Sequence, residues 1–334
     1  MQSSMDMYDA ELSQPITLAE GWRAFCEKKP YRLTDDATAG ERRRWYGTNW
    51  PLLGFEQVQD ICDDVEDLVE ADAGSPGAAR GIAISGEYRT GKSSAARFIG
   101  RHIHRQLARP DGNNLPVLYL QAPSAGRGRQ FVNEFTRFAG YDFGTQETTR
   151  VVHHLRTQVP KWGTRLIIID EANNLDSAHS TSTTPAQFLK DLMDQLPSIF
   201  LLVGHDISNT RPFTSNGADS VRGRFNVRVF ERFRRTKHKD DDWRATLGDI
   251  DRLIELANHQ QGDLVEHEAL IFERTEGLPG DVYFLIQKAA RDAIRDGTER
   301  ITAKGLHRVD LSQAARDREA KAHRQLGRTH ANAA

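Results

Sequence analysis

The stretch Gly86-Glu87-Tyr88-Arg89-Thr90-Gly91-Lys92-Ser93 constrains this chain more than any other. It has the spacing G-x-x-x-x-G-K-S. A short apolar run at 81–85 precedes it, and an amphipathic segment at 93–107 follows. Strand, glycine-rich bend and helix in that order form an anion cradle. Glycines let the backbone curl so that successive N–H groups face one anion. Lys92 supplies a point charge for the β- and γ-phosphates of a nucleotide, and the Ser93 hydroxyl a ligand for Mg²⁺. The helix that starts there, with Ser94 in its first turn, adds its positive N-terminal end. The eight-residue pattern also occurs in surface turns, so its placement carries the argument. Arg89 is ambiguous: it could touch phosphate or a neighbouring subunit, but a solvated loop arginine is the simpler expectation.

A second pattern predicts the same site. Leu166-Ile167-Ile168-Ile169 is wholly apolar and ends in Asp170-Glu171, which reads as a buried strand delivering two acids at its carboxyl end. Asp170 is then placed to hold Mg²⁺, and Glu171 to polarise a water that attacks the γ-phosphate. A strand ending in a solvated acidic turn is common on its own; downstream of the glycine-rich bend it predicts ATP and Mg²⁺ as ligands.

The surrounding chain fits an open α/β architecture. Apolar runs at 81–85, 117–121, 166–169, 199–203 and 227–230 alternate with helical periodicity at 93–107, 130–138 and 185–196. Continuous apolar runs between helices indicate a parallel sheet covered on both faces. Ligands of such sheets sit beyond the carboxyl ends of the strands. Upstream, 18–28 and 55–69 read as helices, and 71–80 as a loop. From about 237 the strands stop, and 249–258, 266–275, 281–296 and 302–310 are helical in period. The expected division is an N-terminal segment 1–49, a candidate for partner binding, an α/β core 50–236, a helical lid 237–312 and a flexible tail 313–334.

Composition narrows the class. Of 334 residues 38% are hydrophobic and 28% charged, an ordinary globular balance. No run approaches the roughly 20 apolar residues of a membrane-spanning helix, and the acidic, polar start does not read as a secretory signal. The two cysteines, Cys26 and Cys62, have no ligand-spaced neighbour and read as idle thiols in a reducing cytoplasm. Lys and Arg total 45 against 47 Asp and Glu. Any nucleic-acid contact must therefore come from local patches or from surface that becomes continuous on assembly.

The two acid-and-phosphate motifs resemble those of AAA+ P-loop ATPases. In that class a polar residue ending the fourth strand senses the γ-phosphate; here His205 or Asp206 occupies that place. An arginine before the fifth strand faces the next subunit's nucleotide and stabilises transition-state charge. Arg224 is the first candidate and Arg222 the second. Thr275-Glu276-Gly277-Leu278-Pro279-Gly280-Asp281 resembles the turn that opens the sensor helix of an AAA+ lid. The helix that follows carries Val282-Tyr283-Phe284 where many members have an arginine, so no lid arginine is assigned.

More specifically, residues 50 to 310 resemble the TniB/TnsC family of AAA+ regulators of DNA transposition, with MuB and IstB as relatives. The resemblance rests on Leu118-Tyr119-Leu120-Gln121-Ala122-Pro123, on Ile169-Asp170-Glu171-Ala172-Asn173-Asn174-Leu175, on the strand 200–204, on Arg224-Phe225 and on the lid pattern 275–302. The polar stretch 177–184 and His205 depart from the family. The resemblance implies ATP-dependent assembly as a homo-oligomer, ring or helical filament, on double-stranded DNA. It also implies recruitment of a transposase, with a target-selection protein as a further partner, and disassembly on hydrolysis. DNA contacts in such assemblies go mainly to phosphates. Arg127 and Arg129 are candidates for them and Lys161 and Arg165 weaker ones, although a solvated basic face is the better reading of each taken alone. The cluster 232–239 is interleaved with acids. Two other readings stay open: a helicase or initiator loader with the same core, and a nucleotide-dependent signalling switch acting only through protein contacts.

Overall fold

The computed structural model describes residues 14–29, 33–34, 36–48, 56–71, 80–124, 128–141, 148–177, 185–235 and 242–318. Contacts divide the chain into two compact units. The first comprises Met1–Lys28, Gly54–Tyr88 and Lys92–Phe230; the second comprises Lys29–Leu53, Arg89–Gly91 and Glu231–Ala334.

The first unit is built on five parallel strands: β1 (Gly81–Gly86), β2 (Val117–Gln121), β3 (Leu166–Asp170), β4 (Ile199–Gly204) and β5 (Phe225–Phe230). Their order is β2-β3-β4-β1-β5. Leu166–Asp170 is buried throughout, as is Ile199–Gly204, which is why both read as unbroken apolar runs. β5 lies at the edge, and only Phe225 and Phe230 are buried in it. Helix Lys92–Leu107 buries Ala95, Ala96, Ile99 and Ile103, a 3.6-residue stripe laid on the sheet. Helix Thr148–Trp162, absent from the sequence reading, buries Val151, Leu155 and Val159. Helix Ala19–Glu27 packs Trp22 onto the same core. Cys26 and Cys62 are buried in this core, and burial pushes their thiols up to about 12 and about 11. They are therefore protonated and unreactive at neutral pH.

The second unit is helical. Helices Ala39–Thr48, Asp242–Asp251, Glu268–Thr275, Pro279–Asp296 and Ala303–Arg308 surround Tyr46, Trp243, Leu247, Ile271, Leu285, Ile286 and Leu306. The helix expected at 249–258 ends at Asp251, where the Asp251 carboxylate accepts the N–H groups of Gly262 (2.5 Å) and Leu264 (3.0 Å). Tyr46 Oη accepts the Glu255 N–H at 2.6 Å, and Arg42 makes a two-pronged pair with Glu299 at 2.7 and 2.8 Å. Arg232 pairs with Glu276, and Arg235 with Glu268. Among the described residues, no helix is long and apolar enough to cross a membrane.

Candidate nucleotide site

The glycine-rich bend leaves β1 at Gly86 and enters helix Lys92–Leu107 at Lys92. Arg89 (φ 68°) and Gly91 (φ 91°) are left-handed. Only glycine adopts that conformation without steric cost, and nothing lies within 4 Å of where a Gly91 side chain would begin. Lys92 is 8% exposed, and its ammonium donates to the Glu87 carbonyl oxygen. Burial holds its pKa below the usual lysine range, while Glu171, Asp170 and Glu87 act in the opposite sense. A desolvated cation curled inside its own loop is a charge prepared for an anionic ligand. Ser94 sits in the first helical turn and Thr90 is buried. Tyr88 is 62% exposed.

Arg89 corrects the sequence reading. With Thr90 and Gly91 it packs in the second unit. Its Nε lies 2.5 Å from Asp281 Oδ1, and its Nη2 donates to Gly280 O at 3.0 Å. It is a paired arginine, though still partly exposed: the carboxylate of fully buried Asp281 draws both Arg89 and Arg318.

Opposite the loop, Ser93 Oγ donates to Asp170 Oδ1 at 3.0 Å. The same oxygen accepts the Glu171 N–H at 2.9 Å, and Tyr119 Oη donates to Oδ2 at 2.6 Å. Glu171 is left-handed at φ 54°. That conformation costs a non-glycine residue of order 1–3 kcal/mol, and residues held in this way cluster at active sites. The turn is held by Asn174, whose N–H donates to Glu171 O (2.8 Å) and whose side chain donates to Ala122 O (2.9 Å).

At the end of β4, His205 stacks on Tyr88 with ring centroids 4.7 Å apart. Its Nδ1 lies 3.2 Å from Gly86 O. A carbonyl only accepts, so this contact places a proton on Nδ1, and Nε2 can donate to phosphate only in the imidazolium form. The His205 N–H donates to Asn173 Oδ1 at 3.1 Å. Gly204 permits this closeness, since a Cβ there would stand 2.6 Å from Asn173 Oδ1. Sequence reasoning assigned no role to Asn173 or to Tyr119.

The arginines before β5 differ in setting. Arg224 pairs with Asp194 at 2.6 Å and is one-fifth exposed; Arg222 is two-thirds exposed, with Asp219 at 3.9 Å. Of the DNA candidates, Arg165 is engaged, donating to Val69 O. Arg165 and exposed Lys161 both lie at the amino end of β3, away from the acids. Arg127 and the Arg129 side chain lie outside the described residues, as do 178–184, 236–241 and 319–334.

These residues fit a magnesium nucleotide. Ser93 and Asp170 bring a hydroxyl and a carboxylate oxygen within 3.0 Å, the hard oxygen donors that Mg²⁺ selects. Among the described residues no cluster of three His, Cys, Asp or Glu could hold a metal by itself.

The family described as "Bacterial TniB protein" matches residues 46–235, more than half of the chain, including the glycine-rich bend and both acids. Among solved structures the chain is similar to the Aeropyrum pernix ORC2 protein in its ADPNP–ADP complexes. Identity is 15%, the TM-score 0.59, and 83% of this chain and 71% of that one are covered. It is also similar to the Aeropyrum pernix ORC1 protein in complex with DNA (15%, TM-score 0.58, 83% and 69%). Drosophila ORC bound to DNA is a third (12%, TM-score 0.55, 84% and 67%). No curated protein matches the sequence. At these identities the structural likeness is one of fold, an AAA+ ATPase fold with a helical C-terminal region. The chain belongs to the bacterial TniB family of AAA+ ATPases.

Proposed function

We propose that this protein is a Mg²⁺-dependent ATPase that regulates DNA transposition. In this reading ATP-bound copies assemble on double-stranded target DNA and recruit or activate a transposase, with a target-selection protein as a further partner, and hydrolysis dismantles the assembly. The observation that carries the reading is the 3.0 Å contact between Ser93 Oγ and Asp170 Oδ1 in a member of the TniB family. Two residues 77 positions apart meet as one oxygen site beside a buried lysine.

Mg²⁺–ATP, when bound, supplies the phosphoanhydride bond and a cation that neutralises charge on the phosphates. Ser93 and Asp170 hold that cation. Lys92 leaves the Glu87 carbonyl for phosphate oxygens. Glu171 orients and polarises the attacking water, its position fixed by the left-handed turn. His205 stands against the bend and, protonated, donates from Nε2. Of the two arginines, Arg222 is the better placed to reach a neighbouring subunit, because Arg224 is already paired with Asp194. With net charge −2, DNA affinity comes from local basic patches or from basic surface gathered by assembly, largely through phosphates, and so falls with salt.

The test is electron microscopy and fluorescence anisotropy with duplexes of unrelated sequence, with and without a non-hydrolysable ATP analogue. Nucleotide-dependent oligomers on every duplex, weakening as salt rises, are expected. Monomers indifferent to DNA would favour a signalling switch. Binding confined to one DNA sequence would favour the initiator-loader reading.

A further inference from the structure

Asp170 uses its two oxygens differently. Oδ1 faces Ser93 Oγ (3.0 Å) and the Glu171 N–H (2.9 Å), and Oδ2 accepts the Tyr119 hydroxyl at 2.6 Å. Tyr119 comes from the neighbouring strand β2 and is 2% exposed. Its hydroxyl also receives Arg97 Nε at 3.4 Å, and the Arg97 guanidinium stands 6.0 Å over its ring. The Trp22 indole of helix Ala19–Glu27 also stacks on the ring, 5.2 Å between centroids and 13° from parallel.

A carboxylate with free rotation presents either oxygen to a cation. Here the rotation is fixed: one oxygen is committed to a phenol on the protein side, and the other is presented toward Ser93. Donors that hold metal-ligating groups in this way orient them and tune their affinity. We infer that Tyr119, seated by Trp22, is a positioning residue for the Mg²⁺ ligand Asp170, making the N-terminal helix part of the support of the catalytic site. The inference rests on the nucleotide reading above. It differs from a purely structural role, in which the hydroxyl only satisfies a buried acid.

The experiment measures binding of a fluorescent, non-hydrolysable ATP analogue to the full chain, across a Mg²⁺ titration and in excess chelator. For Tyr119→Phe the Mg²⁺ midpoint should rise on the order of 10-fold, with the metal-free affinity unchanged. An unmoved midpoint overturns the inference, and so does an equal loss with and without Mg²⁺. Trp22→Phe keeps the Tyr119 hydroxyl but alters its seat, and should raise the midpoint in the same direction by less than Tyr119→Phe does; no shift at all would overturn the part assigned to Trp22 and its helix. Independently, fluorotyrosine placed at 119 in the otherwise unaltered chain should change its fluorine resonance when Mg²⁺ is added to nucleotide-loaded protein. A resonance that stays in place counts against the inference without any variant having to fold. Failure of the unaltered chain to bind the analogue at all would remove the nucleotide reading itself, an outcome distinct from an unmoved midpoint.

Discussion

Replacing Lys92 with Met separates a nucleotide-binding lysine from a structural one. Lys92 is 8% exposed and its ammonium donates to the Glu87 carbonyl, with Asp170 and Glu171 close enough to act on its charge. A charged hydrogen bond lost from a site of this kind costs about 1.5–3 kcal/mol of ligand affinity, roughly 10- to 150-fold. At an analogue concentration of 100 times the wild-type Kd, binding stabilises the folded state by about 2.7 kcal/mol; a roughly 100-fold weaker variant gains only about 0.4 kcal/mol. For a domain of 150–250 residues that is a ligand-induced rise of about 5–10 °C in Tm collapsing to about 1 °C. The apoprotein should behave differently. Burial lowers the lysine pKa, so its charge is costly in the folded chain, and that cost is present below the folded pKa and eases as pH rises through it. Methionine removes the cost, and Asp170 keeps three donors in Ser93, Tyr119 and the Glu171 N–H. The apo Tm of Lys92→Met at pH 7 should therefore equal or exceed that of the parent. Differential scanning fluorimetry with and without analogue reads both quantities. A variant that loses apo stability yet keeps its full ligand-induced shift would refute the reasoning and make Lys92 a structural ion pair.

Three further outcomes are expected. Glu171→Gln should bind the analogue as the parent does while ATP turnover drops on the order of 10²- to 10⁴-fold, leaving long-lived complexes on DNA; ordinary turnover would remove Glu171 from its role. Arg222→Ala should lower the hydrolysis that depends on protein concentration without changing Tm, whereas Arg224→Ala, which strands Asp194, should lower Tm; the reverse pattern would assign the inter-subunit role to Arg224. His104 is buried, and burial first, then Arg23 and Arg105, push its pKa down to about 4 from 6.5. A depressed histidine favours folding fully above pH 6.5 and loses that contribution as pH falls toward 4, at most about 3 kcal/mol. Melting of His104→Phe should depend less on pH between 7 and 4.5 than melting of the parent, and parallel curves would contradict this.

What the sequence made legible was what is encoded locally. The run before Gly86 and the run ending in Asp170 are apolar because both faces of a parallel sheet are covered, and their ends lie where the glycines and acids say they do. What it left illegible was long-range pairing. Tyr119 meets Asp170 across 51 positions, and nothing in Leu118-Tyr119-Leu120 tells a phenol that packs from one that donates. In the sequence Arg42–Arg44, Trp45 and Tyr46 form a basic and aromatic cluster with no local partner pattern. In the structure Arg42 is held by Glu299, 257 positions away, and both aromatics are buried in the helical unit. Arg165, read as a weak phosphate contact, reaches the Val69 carbonyl instead. Helix Thr148–Trp162 hides its stripe of Val151, Leu155 and Val159 among histidines, threonines and a proline in its last turn. Its periodicity was present, but its composition resembles a loop.

The account depends on nucleotide being gripped between the left-handed glycine bend and the end of β3. Calorimetric titration of the unaltered chain with a non-hydrolysable ATP analogue in Mg²⁺ tests this most directly. One analogue per chain, weakened when Mg²⁺ is chelated, is the predicted result. Absence of any binding heat across a range of temperatures would contradict the site and the function built on it.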